Sequence, residues 1–216
     1  MVIGLTVVSF ATSFPELLVS LNAALQGAPA IAINNVIGSN IANIGLVLGI
    51  TAVCTTIEVD PSFYKFNWPA LLIFSLLLYA FMQNDQQLTS FEGAVLFIAL
   101  LVFIVLLIKR SRRTNLETDP EMDTLSEVSY FKIIIWLTVG GMALYYGADW
   151  LVDGAIVVAE QMGVSEAVIS VSLVALGTSI PELSASIVAV MKKEKSLSLG
   201  NLIGSNIFNI GSVLGL

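Results

Sequence analysis

The stretch Thr12-Ser13-Phe14-Pro15-Glu16-Leu17 recurs as Thr178-Ser179-Ile180-Pro181-Glu182-Leu183, and this recurrence decides the fold. Residues 3–50 align with residues 169–216 at a constant offset of 166 without a gap, and 21 of the 48 pairs are identical. Two unrelated apolar stretches would match at roughly a tenth of their positions, so the chain contains an internal repeat.

The composition indicates a membrane protein. Of 216 residues, 56% are hydrophobic and 12% charged, whereas soluble domains have roughly 45–50% apolar and about 25% charged residues. A spanning helix needs about 20 mostly apolar residues. We therefore predict an all-α, multi-pass membrane protein with seven segments, at 1–26, 31–56, 67–83, 91–108, 131–158, 164–191 and 196–216.

One long polar stretch, residues 109–130, divides the chain into a first half (1–108) and a second half (131–216). We expect it to be a loop or a short helix outside the membrane. If it is cytoplasmic, the seven segments place all nine Lys and Arg residues at the cytoplasmic face, as the positive-inside rule requires.

The two copies of the repeat have opposite orientations in this topology. Five crossings separate them, and five is odd, so they enter the membrane from opposite sides. Inverted repeats with discontinuous helices are typical of secondary transporters, which bind their substrate near the midplane between the copies.

The repeated motif combines a helix breaker with oxygen-bearing side chains. Pro15 and Pro181 should break or kink their helices, and the freed carbonyls must then line protein or a wet cavity. Carboxylate, hydroxyl and carbonyl oxygens suit hard cations such as Ca²⁺ and Na⁺. Glu16 and Glu182 together supply a formal charge of −2, which matches one Ca²⁺ or two Na⁺.

A structural role is the alternative for these glutamates, because a carboxylate at a helix start stabilises the helix dipole. Two copies at inverted positions, each in the middle of its segment and each paired with a Gly-Ser-Asn block, favour cation binding instead. In the second block, Ser39 and Asn43 lie four residues apart, as do Ser205 and Asn209, and so share a helix face.

Other residues of the second block have structural interpretations. The GxxxG spacings Gly45/Gly49 and Gly211/Gly215 predict close helix packing. For Asn40 and Asn206, the pattern leaves both ligation and interhelical hydrogen bonding open.

The environments of a few residues outside the repeat can also be predicted. Asp149 and Asp153 should be interfacial rather than ligands. The single cysteine, Cys54, is predicted to be a buried thiol. Histidine is absent from the sequence, which removes the commonest side chain for proton shuttling.

The paired T-S-x-P-E and G-S-N-I-x-N-I-G motifs resemble the α-repeats of the cation/calcium exchanger superfamily, in particular its sodium/calcium exchanger branch. The resemblance implies ten transmembrane helices in two inverted halves, of which about seven are present; the first and the last two would lie outside this sequence. It implies shared Ca²⁺ and Na⁺ ligation by Glu16 and Glu182, calcium ligation by Thr12 and Thr178, sodium ligation by Ser13, Ser39, Ser179 and Ser205, and a midpoint lined by Asn43 and Asn209.

The expected function is exchange of Ca²⁺ for Na⁺ by alternating access, in the cytoplasmic membrane of a prokaryote. No enzymatic activity, no cofactor besides the transported ions, and no nucleic-acid partner are expected. Exchange of Ca²⁺ for H⁺ is one alternative. Potassium-dependent exchange is another, disfavoured because some potassium-dependent relatives have Asp where this chain has Asn209. A cation channel or an inactive membrane scaffold is the alternative from a different class.

Overall fold

The computed structural model describes residues 4–57, 59, 63–83, 87–114, 129–163, 177–192 and 194–216. Its elements within these ranges are helical, and four π-helical turns lie at Gly4–Val8, Asn43–Val47, Phe63–Asn67 and Asn209–Val213. The α-helices are α1 (Ser9–Thr12), α2 (Phe14–Leu25), α3 (Pro29–Ala42), α4 (Leu48–Cys54), α5 (Trp68–Met82), α6 (Ser90–Thr114), α7 (Tyr130–Gln161), α8 (Ile180–Met191) and α9 (Lys195–Phe208).

The first predicted segment is a broken helix. Residues Thr6–Thr12 and α2 meet at an angle of 48°, and Pro15 lies in the first turn of α2. Proline has no amide hydrogen to continue the helical bonding and fixes its own φ angle, so the chain bends where α2 begins. The discontinuity predicted from the motif is confirmed in this copy.

The second copy shows the same helix start. The helix α8 begins at Ile180 and again has proline, Pro181, in its first turn. The part of the sixth predicted segment from Val164 to Leu176 lies outside the described residues, so the angle at this break is not defined.

The helix pair α2 and α3 is joined by a tight turn. Gly27 has a φ of +78°, a left-handed conformation that glycine adopts without steric cost, and Pro29 starts the next helix. The turn separates the first two predicted segments at the expected place.

Three continuous helices are long and apolar enough to cross a membrane, and the bent pair makes a fourth candidate. The three are Pro29–Cys54, Phe63–Met82 and Ser90–Arg110, in agreement with the second, third and fourth predicted segments. The fourth segment begins with a capping box, in which the Thr89 amide donates to Glu92 at 2.8 Å and the Glu92 amide donates back to the Thr89 hydroxyl at 3.3 Å. Its helix continues to Thr114, six residues beyond the predicted end.

The fifth predicted segment is also helical. Its helix, α7, has 32 residues, and the apolar part extends from Phe131 to Gly147. Residues 115–128 of the polar stretch lie outside the described residues, so the expectation of a loop there stays a prediction.

The core lies between α5, α6 and the second copy of the repeat. Leu71 and Phe74 of α5 and Leu96 and Leu100 of α6 form one buried cluster with α9 residues such as Ile203. A methyl group at Gly211 would lie 2.8 Å from the Leu100 Cβ atom and 3.0 Å from the Phe74 ring. Glycine therefore permits this close packing, as the GxxxG spacing predicts for the second copy.

The same prediction stays open for the first copy. A methyl group at Gly45 or Gly49 would meet no atom of the described residues within 4 Å, and α6 packs along the π-helical turn Asn209–Val213 of the second copy instead. The expectation for Cys54 is wrong, because this thiol is exposed at the end of α4.

Candidate cation site

The structure brings all ten predicted ligand residues into the interior. Glu16 and Glu182 are completely buried, at 0% exposure, and Thr178 has the highest exposed fraction of the set, at 9%. The other members are similarly buried: Thr12, Ser13, Ser39, Asn43, Ser179, Ser205 and Asn209.

Each repeat places its glutamate in the first turn of a helix, Glu16 in α2 and Glu182 in α8. Amide groups in a first turn have no partner within the helix, and the helix dipole there favours negative charge. The dipole contributes to stabilising each carboxylate, but two buried carboxylates still lack a compensating positive charge from the described side chains around them.

Most carboxylate oxygens of the pair accept no hydrogen bond from the part of the chain that the structure describes. Within the described residues, neither oxygen of Glu16 has a partner, and the Oε2 atom of Glu182 has none. The Oε1 atom of Glu182 accepts a long hydrogen bond of 3.4 Å from the Ser13 hydroxyl of the other repeat. Burying such oxygens costs several kcal/mol unless a cation or proton compensates them, so the arrangement fits a cation.

Hydroxyl groups connect the two repeats around the carboxylates. The Thr12 and Ser205 hydroxyl oxygens are 3.1 Å apart, and Ser179 donates to the Ser39 carbonyl oxygen at 3.5 Å. Each pair joins one residue of the first copy to one of the second. The predicted hydroxyl ligands therefore meet at the interface between the copies.

Four asparagines form a symmetric network at the same interface. The Asn43 amide donates to the Asn206 side-chain oxygen at 3.0 Å, and the Asn209 amide donates to the Asn40 side-chain oxygen at 3.1 Å. Asn40 and Asn206 also donate to each other's backbone carbonyls, at 3.2 and 3.3 Å. The question left open for Asn40 and Asn206 is answered in favour of hydrogen bonding between the repeats.

This network fixes the orientation of two amide groups. Because the nitrogens of Asn43 and Asn209 donate across the interface, their Oδ1 atoms are left as acceptors, and both are buried without a partner in the described part of the chain. Amide orientations are assigned from such networks. Two neutral carbonyl oxygens, one from each repeat, thus join the carboxylates and hydroxyls as possible cation ligands.

Both asparagines also begin a π-helical turn, at Asn43–Val47 and at Asn209–Val213. Such turns occur frequently at functional sites. These turns could not be predicted from the sequence because no residue type marks a π turn, although their equal spacing in both copies shows that the feature belongs to the repeat.

Four further polar residues extend the site and were missed. The Ser9 hydroxyl donates to the Asn201 carbonyl at 3.0 Å, and the Thr12 hydroxyl donates to the Asn201 side-chain oxygen at 3.3 Å. In the first copy, Asn35 donates to the Ser20 hydroxyl at 3.0 Å. The repeat alignment contained a signal for three of them, since Asn35 matches Asn201 and Ser20 matches Ser186 at the same offset, whereas Ser9 aligns with Ala175.

Acidic clusters of the kind that bind metals with several carboxylates do not occur within the described ranges, where no group of three or more His, Cys, Asp or Glu residues is found. The candidate site relies instead on two carboxylates and neutral oxygens. Asp153 is exposed on α7, as expected for a residue outside the site.

Two inverted copies of one motif, each with a glutamate buried in the first turn of a helix that has proline in the same turn, place this protein in the class of inverted-repeat membrane transporters. The comparison with known sequences is more specific. The chain belongs to the sodium/calcium exchanger protein family, whose sequence profile matches residues 1–109 and 132–216.

Relatives match along the whole chain. CaxA of Alkalimonas amylolytica is 40% identical over 220 residues, which cover 100% of this chain and 69% of that protein. The sodium/calcium exchanger MaX1 of Methanosarcina acetivorans is 31% identical over 251 residues, which cover 100% of this chain and 72% of that protein. The solved sodium/calcium exchanger from Methanococcus jannaschii superposes with a TM-score of 0.80 at 35% identity, covering 99% of this chain and 68% of that structure.

Proposed function

We propose that this protein exchanges Ca²⁺ for Na⁺ by alternating access, with the cations bound between the two repeats. The observation that carries the proposal is the pair Glu16 and Glu182, one from each inverted copy, both completely buried. Three of their four oxygens have no partner in the described residues. Relatives named as sodium/calcium exchangers support the choice of ions.

Charge neutralisation explains why the two ions would be exchanged rather than carried alone. Two glutamates give the site a charge of −2, which one Ca²⁺ or two Na⁺ would balance. An empty, doubly charged site would be costly to carry through a closed conformation. The protein therefore changes its access state readily only with the site occupied, and that requirement couples the two fluxes.

The proposed ligands divide by chemistry. The two carboxylates serve both ions, because they supply the charge. Neutral hydroxyl and carbonyl oxygens complete the 6–8 oxygen ligands that Ca²⁺ takes. The proposed assignments are Thr12 and Thr178 for Ca²⁺, Ser13, Ser39, Ser179 and Ser205 for Na⁺, and the Oδ1 atoms of Asn43 and Asn209 at the midpoint.

The proposed orientation places the polar stretch 109–130 in the cytoplasm. The Arg110 guanidinium lies 5.3 Å from the centre of the Phe66 ring, so the end of α6 is next to the start of α5. Lys65 precedes that ring directly. These charges therefore belong to one membrane face, as the positive-inside rule requires of a cytoplasmic face.

The test is Ca²⁺ uptake by the purified protein in proteoliposomes, with Na⁺, K⁺ and pH gradients imposed separately. The proposal expects uptake that saturates with Ca²⁺ and depends on an outward Na⁺ gradient alone. Uptake driven by a pH gradient without Na⁺ would favour Ca²⁺/H⁺ exchange, and a K⁺ requirement would favour the potassium-dependent type. Single-channel currents would instead indicate a channel.

A further inference from the structure

Asn35 and Asn201 occupy the same position in the two repeats but make different hydrogen bonds. Asn201 uses its oxygen, which accepts the Thr12 hydroxyl of the opposite repeat at 3.3 Å. Asn35 uses its nitrogen, which donates to Ser20 of its own repeat at 3.0 Å. Both asparagines are buried, at 1% and 5% exposure, so each bond forms away from water, where a lost partner is costly.

The atoms that one asparagine uses are left unused by the other. Within the described residues, the nitrogen of Asn201 and the hydroxyl of Ser186 have no partner, and neither has the oxygen of Asn35. Ser186 is the repeat equivalent of Ser20. Among the described residues, the Asn201 nitrogen and the Ser186 hydroxyl therefore lack the hydrogen bond that Asn35 and Ser20 form in the first copy. Likewise, the Asn35 oxygen lacks a hydrogen bond like the one that the Asn201 oxygen accepts from Thr12.

The two asparagines lie on opposite sides of the candidate cation site. Asn35 lies in α3, between Ser39 and the start of the helix, which follows Gly27. Asn201 lies between the start of α9, next to Lys192, and Ser205. Because the copies are inverted, the Gly27 side and the Lys192 side correspond to opposite membrane faces.

On the Lys192 side, Asn201 contributes to a closed contact. Its helix, α9, packs against α1 and against the π-helical turn Gly4–Val8, and Ser9 donates to the Asn201 carbonyl at 3.0 Å. The Thr12 hydroxyl also lies 3.4 Å from the Ser9 carbonyl oxygen and 3.1 Å from the Ser205 hydroxyl, and when it donates to Asn201 its lone pairs are left for a cation. Asn201 thus keeps the broken helix packed against α9 and orients Thr12, a proposed ligand.

We propose that Asn201 and Asn35 are positioning residues that hold the threonine of the opposite repeat in alternate access states. Asn201 holds Thr12 while the Lys192 side is closed, and Asn35 holds Thr178 while the Gly27 side is closed. In the second state the Asn201 nitrogen donates to Ser186, in the same way that the Asn35 nitrogen donates to Ser20 in this structure. This inference rests on the proposed alternating access, and it names the contacts that exchange.

The test measures the access of each side with a matched pair of reporter cysteines. Ala32→Cys and Ser198→Cys are equivalent positions, three residues before Asn35 and Asn201, and both native side chains are buried, at 7% and 3% exposure. Each reporter is placed in a Cys54→Ser background, because Cys54 is exposed. Right-side-out and inside-out vesicles are labelled with a membrane-impermeant thiol reagent.

Asn201→Ala and Asn35→Ala each remove one hydrogen bond from both states, so either variant alone should change the ratio of the two labelling rates little. Ser20→Ala should increase the labelling rate of Ser198→Cys from the Lys192 side by about fivefold and decrease that of Ala32→Cys, since one net hydrogen bond, from Asn35 to Ser20, is lost from the present state only. Ser186→Ala should have the reciprocal effect, because it removes the partner of Asn201 in the other state.

A purely structural role predicts a different pattern. General loosening of the packing would increase labelling of both reporters in both serine variants, and that result, or no change in either, would overturn the proposal. Na⁺-driven Ca²⁺ flux in the same vesicles tests the exchange separately. Reciprocal labelling without such flux would support the exchange of hydrogen bonds by Asn35 and Asn201 and would overturn the proposed exchange of Ca²⁺ for Na⁺.

Discussion

Asn40 and Asn206 are equivalent residues of the two repeats, and each donates its side-chain amide to the other's backbone carbonyl, at 3.2 and 3.3 Å. Equivalent positions can contact each other in this reciprocal way only near the axis that relates the copies. The pseudo-two-fold axis therefore passes between these residues, beside the asparagines that begin the two π-helical turns. The candidate cation site is built around this axis.

Asn206→Ala should destabilise the interface between the repeats. It removes the acceptor of the Asn43 amide and leaves that donor buried, at a cost of about 1–3 kcal/mol. We expect a lower unfolding temperature in detergent and weaker Ca²⁺ binding, since the Asn43 oxygen is no longer oriented. Asn22→Ala is the control, because Asn22 bonds only the exposed Gln26 side chain among the contacts described. Equal stability of the two variants would contradict the role of the network.

Thr12→Val should weaken Ca²⁺ binding by about tenfold or more while the protein remains folded. Valine keeps the shape of threonine but removes an oxygen from the site, and a hydrogen bond or ligand to a charged group is worth about 1.5–3 kcal/mol. Calorimetric titration with Ca²⁺ measures the loss.

The matched control for this variant is Thr51→Val. Thr51 is as deeply buried, at 2% exposure against 1% for Thr12, but its hydroxyl donates to the Val47 carbonyl one turn earlier in its own helix. Its removal should leave Ca²⁺ affinity unchanged. Similar losses in both variants would show that Thr12 acts through packing rather than as a ligand.

Gly211→Ala and Gly45→Ala form a comparison between equivalent positions of the two repeats. At Gly211 the new methyl group would lie 2.8 Å from the Leu100 Cβ atom, so α6 must shift, at a cost of about 1–3 kcal/mol. At Gly45 it would meet no described atom within 4 Å. We expect thermal unfolding at a clearly lower temperature for Gly211→Ala only. Equal effects would contradict the described packing of α6.

The repeat made much of this structure predictable. The alignment of residues 3–50 with 169–216 located the helix break at Pro15, and the helix start at Pro181 agrees with it. It also predicted the burial of both glutamates, because polar residues shared by two apolar stretches have few roles except in a common interior site. These predictions depend on local chemistry that follows directly from the residue types.

Other features could not be predicted, for physical reasons. In a membrane the lipid-facing surface is as apolar as the interior, so hydropathy could not show that Cys54 is exposed or that no atom of the described residues lies close to Gly45. The π-helical turns have no residue signature. Asn35 and Asn201 are identical in the repeat but differently bonded, and which copy is in which arrangement depends on the conformation of the whole protein.

The central claim is that Glu16 and Glu182 form one shared cation site. The most direct measurement is Na⁺-driven uptake of radioactive Ca²⁺ into proteoliposomes by Glu16→Gln and Glu182→Gln, each compared with the unmodified protein at equal reconstitution. Glutamine keeps the size of the side chain and removes one of the two charges, so we predict that uptake falls to the level of empty liposomes in both variants. Undiminished uptake in both variants would contradict the account.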